Sequence, residues 1–436
     1  MKATIGLEIH LALSTKQKLF SATENSFSVK EFSLFDCATP GVLPVISKEP
    51  VEMAVAFGLL VNAEIRKRSL FERKHYFYPD LPLGYQITQQ HLPIIMGGEV
   101  DLGYKKVVIE HAHLECDAAK SLHIGDSTYI DISRVASALL EIVSTPCMNS
   151  AKEASDYAKF VHEAAMFLGI CDGKLEEGSF RVDASISVSD TEKLGTRVEI
   201  KNISSFRFLE AAINYEIERQ TKLIESGEKV VMETRLFKEQ DLSTQSMRKK
   251  ETVDEYRYLF DPDIPELIID DEFIDKVKET YLTNYAKFKK EMDDLLKTFK
   301  IEEVDYYLHK EMWKLFYDNK ELQTEKIAKI IHFWLPLGKV LSKKDLLSLI
   351  DFSAQQCKDI LEKYDGVQDI KLLFPVSISL EEVSSIVFNI IKDFPEQLLK
   401  AKSGDDKMLN FLLGKCLKEL KNKTTAPEII KIIKGN

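Results

Sequence analysis

Apolar and polar residues alternate from Thr4 to Leu13, which is the pattern of a β-strand with one buried face. The apolar members are Ile5, Leu7, Ile9, Leu11 and Leu13. Glu8 and His10 lie on the opposite, polar face. A carboxylate and an imidazole placed in this way can share a cation or relay a proton, so the pair is the first candidate for chemistry. The alternative is an ordinary polar strand face.

Around Ile109–Asp117 a second alternating segment predicts another strand with a polar face. Its polar side holds His111, His113, Glu115 and Asp117, and its apolar side holds Val108, Ala112 and Leu114. Cys116 falls on the apolar side and is predicted to be a small core residue. If this strand neighbours the first, His113 and Glu115 would join the first pair around one divalent cation. For each histidine, a structural hydrogen bond is the alternative.

Residues 180–186 and 197–201 alternate in the same way on either side of a turn-like connector. Arg181, Asp183 and Ser185 share one face, as do Arg197, Glu199 and Lys201. The two segments predict a hairpin that presents cations and carboxylates together, as a site for phosphate and metal requires. A surface ladder of salt bridges is the alternative. Ser204 and Ser205 are candidate caps for an amphipathic helix from Phe206 to about Leu223.

Helical patterning, with apolar residues every three or four positions, dominates the chain from about residue 272 onward. Lys276–Leu296 and Val304–Phe316 are the clearest predicted helices. Two prolines in Asp261–Pro265 interrupt regular structure before this region, and a second break lies near Asp365. The predicted division is therefore a mixed α/β segment 1–271, a helical middle 272–364 and a helical tail 365–436.

The composition, 44% apolar and 30% charged, is that of a globular enzyme, and 436 residues exceed one comfortable core. A net charge of −11 argues against a protein that coats nucleic acid with its whole surface. The tail differs, because residues 400–436 hold nine lysines and four acidic residues. This local excess indicates a polyanionic partner, and a lysine-rich solvated helix face is the alternative.

Several classes of protein are disfavoured by motifs that the sequence lacks. The six cysteines form no C-x-x-C pair, so neither a zinc ribbon nor a disulfide framework is indicated. The longest apolar run is too short to span a bilayer and strand-like sequence begins at Ala3, so we expect a cytoplasmic protein without a membrane partner. No P-loop, dinucleotide fingerprint, H-E-x-x-H or nucleophile elbow occurs, so any nucleotide site is of another kind.

A series of short segments, in their order and spacing, resembles the B subunit of the tRNA-dependent glutamyl/aspartyl amidotransferase over essentially the whole chain. The segments are Ile5–His10, Thr39–Pro44, Arg73–Asp80, Gly84–Ile87, His113–Glu115, Leu140–Ser144, Glu176–Arg181, Glu199–Asn202, Glu233–Arg235 and Tyr256–Tyr258. The resemblance implies a two-step reaction on tRNA misloaded with glutamate or aspartate. ATP with Mg²⁺ phosphorylates the side-chain carboxylate, and ammonia then displaces the phosphate. It also implies two partner proteins, an amidase-type glutaminase (the A subunit) and a small C subunit.

The fold implied by this family is α+β, with an N-terminal mixed-sheet cradle domain, a helical domain and a small helical tRNA-binding tail. The resemblance and the strand patterns together assign the metal to Glu8, His10, Glu115 and Asp117. Catalysis is assigned to Glu8, His10, Glu115 and Lys201. The expected contacts with ATP phosphates are Lys74, Lys120 and Arg181. The expected contacts with tRNA are Lys402, Lys407, Lys415, Lys418 and Lys421.

The chain departs from the family pattern in two places that concern metals. The family writes H-[LM]-E-E-D-A-G-K, whereas His113–Lys120 here has Cys116 in place of the second glutamate, and a thiol is a poor magnesium ligand. An alternative function is therefore a divergent, catalytically weakened subunit that binds tRNA or acts as a scaffold. Family members with zinc carry C-x-x-C pairs near residues 20–40, and only Cys37 remains here, so no zinc is expected.

Overall fold

The structure, a computed structural model, forms two compact units, Met1–Lys310 and Glu311–Asn436. The residues that it describes are 1–25, 31–175, 177–249, 256–287, 290, 343–349, 352, 354–364, 370–374, 380–420 and 426–435. The division into three domains stays a prediction.

The first unit is built mainly from strands, which we number along the chain. They are β1 Lys2–Ala12, β2 Glu64–Ile65, β3 Arg68–Ser69, β4 Glu72–His75, β5 Tyr85–Thr88, β6 Ile95–Met96, β7 Glu99–Asp101, β8 Lys106–Cys116, β9 Lys120–Ile124, β10 Ser127–Asp131, β11 Ala138–Ser144, β12 Phe180–Ser189, β13 Val198–Ile203, β14 Glu233–Lys238, β15 Ser243–Lys249, β16 Leu259–Phe260 and β17 Leu267–Ile268. Its helices are α1 Lys48–Leu60, α2 Ala151–Phe167, α3 Phe206–Glu225 and α4 Asp271–Val277, with a 3₁₀ turn at Ile132–Arg134 and a π-helical turn at Lys278–Leu282.

One large mixed sheet forms the framework of this unit. Its order is β15-β14-β13-β12-β1-β11-β8-β6-β2, and β7 also pairs with β8. The β13–β14 pair is parallel, and the other neighbours are antiparallel. Smaller sheets are formed by β9-β10, by β16-β4-β5 and by β17-β3. The predicted α+β class is confirmed.

The strand β1 lies near the centre of the large sheet, and its apolar side is buried as the alternation predicts. Ile5, Leu7 and Ile9 are buried in the main core. Helices α2 and α3 pack together and against β1 and β12, and Tyr157 of α2 is fully buried in the same core. The helix predicted from Phe206 is confirmed as α3. Ser205 is its N-cap, since the Phe208 N–H donates to Ser205 Oγ at 3.1 Å.

The strand β8 contains a bulge that the alternating pattern did not predict. His111 pairs with Val143, but Ser144 pairs with Ile109, so one extra residue stands between the two pairs. The bulge reverses the two sides of the strand, and Val108 is 40% exposed while Ile109 is buried. The prediction that Val108 shares the buried side was therefore wrong. The polar side after the bulge is as predicted.

The second unit is helical in its described parts, as predicted for the tail. Its helices are α5 Lys343–Ser348, α6 Ala354–Lys363, α7 Leu380–Lys392, α8 Pro395–Lys402, α9 Asp406–Leu420 and α10 Ala426–Lys434, with a 3₁₀ turn at Ile370–Leu373. Val387, Leu412 and Ile429 belong to the core that α7 to α10 share. The predicted helix from Lys276 is helical as far as residue 287, and most of its remainder, with Val304–Phe316, lies outside the described residues. No helix in the described ranges is long and apolar enough to cross a membrane.

Candidate active site

Four adjacent strands place one row of polar residues across the large sheet. In the register of the strands, His113 of β8 faces Glu141 of β11, Glu141 faces His10 of β1, and His10 faces Arg181 of β12. Directly opposed residues in antiparallel strands lie about 5 Å apart, so these side chains are neighbours. The two polar faces predicted from sequence thus share one sheet, but β11 lies between them and adds Glu141.

The side chains of this row form a compact cluster of carboxylates and imidazoles. His10 Nε2 lies 3.3 Å from Glu141 Oε2, 3.5 Å from Glu115 Oε1 and 3.7 Å from Glu8 Oε1. His113 Nε2 lies 3.5 Å from Glu141 Oε2. Two sets can each bring three ligand atoms within 4.8 Å of one another, and Glu141 belongs to both. The sets are Glu8, His10 and Glu141, and His113, Glu115 and Glu141.

A second carboxylate group lies beside the first, where β12 and β13 meet. Glu8, Asp183 and Glu199 also place ligand atoms within 4.8 Å of one another. Lys201 Nζ lies 2.5 Å from Asp183 Oδ2 and 3.1 Å from Glu199 Oε1. The strand register shifts opposite Asp183, and Asn202 has a φ of +67° in this bulge. Such bulges redirect side chains near active sites, and here Lys201 and Asn202 both line the cavity described below.

The cluster concentrates more negative charge than its own cations balance. Burial, with the nearby Glu141 charge, raises the pKa of Glu8 and of Glu115 to about 7. Burial opposes a charge on His10, but its hydrogen bond to Glu141 and the surrounding carboxylates raise the pKa of His10 to about 9. Burial lowers the pKa of His113 to about 4. A bound cation would compensate these carboxylates.

Lys74 of β4 supplies a positive charge that no described residue pairs with directly. Its ammonium makes no hydrogen bond or ion pair to the described part of the chain, and lies 5.0 Å from the ring centre of Tyr256 and 6.0 Å from that of Tyr76. Burial would lower the pKa of Lys74, but Glu115 and Glu141 act against it, and the pKa is raised overall. The ammonium of Lys74 is therefore charged and flanked by two tyrosine rings, and it is able to contact an anion. We call this arrangement the lysine cage.

Asp117 holds two further cations at the cavity and lies outside the metal-ligand groups. Arg134 Nη2 lies 2.6 Å from Asp117 Oδ2, and Arg181 Nη2 lies 3.3 Å from Asp117 Oδ1. Among the described residues, none of the groups able to hold a metal includes Asp117. Its carboxylate is therefore placed to position guanidinium groups. Lys120, at the start of β9, is exposed and lines the same cavity.

All the site residues predicted in the first unit line a single cavity of about 690 Å³. They are Glu8, His10, Lys74, Glu115, Asp117, Lys120, Arg181 and Lys201. The volume is within the usual range for sites that bind small molecules. The same cavity is also lined by Tyr76, Gln86, Arg134, Glu141, Asp183 and Asn202.

Glu141 is the central residue that reasoning from the sequence did not assign to the site. It is the one acid in Ala138–Ser144, a strand of otherwise apolar or small residues. Acidic residues are almost never buried without a partner, so an isolated acid in a core strand is a signal that could have found it.

The predicted tRNA contacts lie in the second unit. Lys402 ends α8, and Lys407 and Lys415 lie on α9, with all three side chains exposed. Lys415 Nζ is 5.7 Å from the ring centre of Phe411. The side chain of Lys418 and the whole of Lys421 lie outside the described residues.

Known proteins match the chain over the region that carries the cavity. The family model described as the GatB/GatE catalytic domain matches residues 3–275, more than half of the chain. The chain belongs to the GatB/GatE family. Among its relatives, the B subunit of the aspartyl/glutamyl-tRNA(Asn/Gln) amidotransferase from Thioalkalivibrio sulfidiphilus is 39% identical, over 99% of this chain and 98% of that protein. The corresponding B subunit from Pseudomonas fluorescens is 38% identical, over 100% and 98%. The resemblance inferred from the sequence is confirmed.

In this GatB family member, Cys116 stands in place of the second glutamate of the family pattern, and it lies on the core side of β8. Cys116 is buried in the main core and faces Ala138 of β11 in the strand register. Burial raises the pKa of its thiol well above the usual value, so the thiol stays protonated. The prediction of a core cysteine is confirmed, while Glu115 and Asp117 on either side line the cavity. The alternative of a weakened subunit relied on this residue, and its position removes that support.

Cys116→Glu is expected to destabilise the protein by about 3 kcal/mol or more, because it buries a carboxylate without a partner. We expect no gain in Mg²⁺ affinity. Urea unfolding measures the first effect, and calorimetric titration with Mg²⁺ measures the second. Cys116→Ala is the matched control and should keep wild-type activity. A stable Cys116→Glu protein that binds Mg²⁺ more tightly would contradict the core assignment.

Proposed function

We propose that the chain is the carboxylate-activating subunit of a tRNA-dependent amidotransferase. Its substrates would be Glu-tRNA(Gln), Asp-tRNA(Asn) or both. ATP phosphorylates the side-chain carboxylate of the misloaded amino acid, and ammonia displaces the phosphate to form the amide. The observation that carries the proposal is a single cavity that combines carboxylate-rich metal-ligand groups with the cation of Lys74, which pairs with no described residue.

The donor set of the cavity fits Mg²⁺. Carboxylate oxygens are ligands that this hard cation prefers, and the raised pKa of Glu8 and Glu115 marks the charge excess that a cation would relieve. One ion would be held by Glu8, His10, Glu115 and Glu141, whereas Asp183 and Glu199 already hold the ammonium of Lys201. This set adds Glu141 to the sequence prediction and omits Asp117, which is engaged with guanidinium groups. Bound Mg²⁺ supplies neutralisation of charge on the phosphate oxygens.

The cations of the chain bind and orient the phosphates. Lys74 would contact the transferring phosphoryl group, since its ammonium is charged, caged and free of ion pairs to described residues. Arg181 and Lys120 would contact the other phosphates, with Arg181 oriented by Asp117. Lys201, held by Asp183 and Glu199, would stabilise negative charge at the opposite side of the reacting carboxylate.

The remaining parts of the proposal concern partners and location. Ammonia would come from an amidase-type glutaminase, the A subunit, and a small C subunit would complete the complex in the cytoplasm. The cofactors are ATP and Mg²⁺, without zinc. The tail would bind the phosphate backbone of the tRNA through exposed lysines, an interaction that depends on salt.

The test is ATP-dependent conversion of Glu-tRNA(Gln) to Gln-tRNA(Gln) by this chain with its co-expressed partner subunits. Glutamine and free ammonium are compared as nitrogen donors, and Asp-tRNA(Asn) is assayed in parallel. We expect amide formation that requires ATP and Mg²⁺ with either donor. A complex that binds tRNA but forms no amide with either donor would contradict the proposal.

Replacing Lys407 and Lys415 together by alanine is expected to raise the KM for misacylated tRNA while leaving kcat unchanged. Each lost phosphate contact should also reduce the slope of log affinity against log salt by about 1 unit. Titration of tRNA binding at several salt concentrations measures both effects. Lys229→Ala, which removes another exposed lysine, is the control. An unchanged salt slope in the double variant would contradict the tail assignment.

A further inference from the structure

Two aromatic side chains stand exposed on the segment that follows β4. Phe77 is 90% exposed and Tyr78 is 50% exposed. Large aromatic side chains at a surface lose the benefit of burial, and those close to a binding cavity commonly serve as contacts for a ligand. These two residues come directly after Tyr76, which lines the candidate active site.

The exposed rings are on a segment whose backbone is fixed by hydrogen bonds. The Leu81 N–H donates to the Tyr78 carbonyl at 3.1 Å, and the Gly84 N–H donates to the Leu81 carbonyl at 2.9 Å. The Ala119 N–H donates to the Asp80 carbonyl at 2.8 Å, which ties the segment to the chain beside Lys120. The exposure of Phe77 is therefore built into an ordered turn.

A row of rings connects this turn with the caged lysine. The ring centres of Tyr78 and Tyr76 are 6.0 Å apart, and those of Tyr76 and Tyr256 are 6.1 Å apart. Tyr76 Oη donates to Gln86 Oε1 at 3.4 Å, and Gln86 Nε2 donates to the Cys116 carbonyl at 2.8 Å. These contacts hold Tyr76 in place, so the aromatic surface runs from the Lys74 cage toward the exposed turn.

The far side of the lysine cage is held by a strained backbone. Arg257, between Tyr256 and Tyr258, has a φ of +45°, a conformation that L side chains rarely adopt. His75 Nδ1 donates to the Arg257 carbonyl at 2.9 Å, which fixes this conformation against β4. The fold thus keeps a strained backbone conformation next to Tyr256, whose ring contacts Lys74.

We propose that Phe77 and Tyr78 form the stacking platform for the 3′-terminal adenosine of the misacylated tRNA. The inference rests on the function proposed above. Three residues of extended chain span at most about 10 Å, so Phe77 lies within the length of an aminoacyl-adenosine from Lys74. A nucleobase stacks on exposed rings through its π face, without sequence-specific hydrogen bonds. The turn would therefore bind the 3′-terminal adenosine, which all tRNAs share.

This placement assigns the two substrates to different parts of the cavity. Arg181 and Arg134, which share the Asp117 carboxylate, and the nearby Lys120 provide the charge that a triphosphate needs. The exposed turn offers rings, with Lys74 as the cation at its inner end. The platform therefore suits the substrate that must bring a side-chain carboxylate to the phosphoryl group that Lys74 contacts.

The test compares binding of two tRNAs by the complete complex, one intact and one lacking its terminal adenosine. With the wild-type chain, removal of that adenosine should weaken binding by roughly 5- to 150-fold, the value of one stacked base. With Phe77→Ala/Tyr78→Ala, both tRNAs should bind with the same weakened affinity. Phe77→Trp, which preserves a π face, should keep the difference. Leu194→Ala, at another exposed apolar residue, is the control.

Two results would overturn the inference. If the double variant weakens binding of both tRNAs equally and keeps the difference between them, the rings contact another part of the substrate. If it raises the KM for ATP and not for tRNA, the platform serves the adenine of ATP. Because equilibrium binding is measured, failure of the platform is distinct from failure of the proposed chemistry, which would abolish turnover in the wild-type complex as well.

Discussion

Glu141→Gln is expected to lower kcat for amide formation by more than about 100-fold, because it removes a carboxylate shared by two groups able to hold a metal. Loss of a partner that only supports a metal ligand typically costs 10- to 100-fold, so the loss of a direct ligand should exceed that range. The substitution also removes the hydrogen-bonded charge that raises the pKa of His10. When turnover is measured against Mg²⁺ concentration, the maximal rate should be lower and half of it should be reached at a higher Mg²⁺ concentration.

The control for this substitution is Glu110→Gln on the same sheet. Glu110 lies on β8 with a side chain that is more than half exposed, so it should tolerate the change. Both variants should bind tRNA with wild-type affinity, because neither substitution alters the tail lysines or the proposed Phe77–Tyr78 platform. A Glu141→Gln protein with normal turnover at low Mg²⁺ would show that the metal assignment is wrong.

Lys74→Met is expected to lower kcat/KM for ATP by roughly 10²- to 10³-fold, the usual cost of removing one preorganised electrostatic contact. Methionine keeps much of the side-chain volume and the contact with Tyr76 and Tyr256, so the change isolates the charge. No ion pair to a described residue is lost, and we expect little change in the unfolding midpoint. Steady-state kinetics with varied ATP, together with thermal unfolding, measures both effects.

Lysines outside the cavity provide the comparison for Lys74. Lys193→Met, at the exposed turn between β12 and β13, should leave both the kinetics and the stability unchanged. Lys201→Met should lower activity and also stability, because it leaves Asp183 and Glu199 without their shared cation. If Lys74→Met retained wild-type kcat/KM for ATP, the phosphate contact would lie elsewhere in the cavity.

Local alternation predicted the parts of the site that depend on a single strand. The period of two placed Glu8 and His10 opposite a buried apolar side, and it placed Cys116 in the core. The hairpin between Arg181 and Lys201 was predicted for the same reason. Such patterns report which side of a strand meets the core, because burial acts on each side chain individually.

The alternation of apolar and polar residues could not predict the order of the strands in the sheet or the breaks in their register. Nothing in the alternation of β1 or β8 indicates that β11 lies between them, so Glu141 was not assigned to the cluster. The bulges near Val108 and Asp183 come from pairing with distant segments, which local patterns do not encode. The pairing of Asp117 with two arginines likewise depends on chain segments far apart in sequence.

The central claim is that the side-chain carboxylate is activated as an acyl phosphate, and isotope transfer tests it most directly. The tRNA is charged with glutamate that carries ¹⁸O in both side-chain oxygens, and is incubated with the complex, ATP, Mg²⁺ and ammonium. Attack of one carboxylate oxygen on the γ-phosphorus releases ADP, and ammonia then expels that oxygen with the phosphate. We expect one ¹⁸O in the inorganic phosphate for each amide formed, and both products at a rate lowered by more than about 100-fold with Glu141→Gln. Amide formed together with phosphate free of ¹⁸O would contradict the claim.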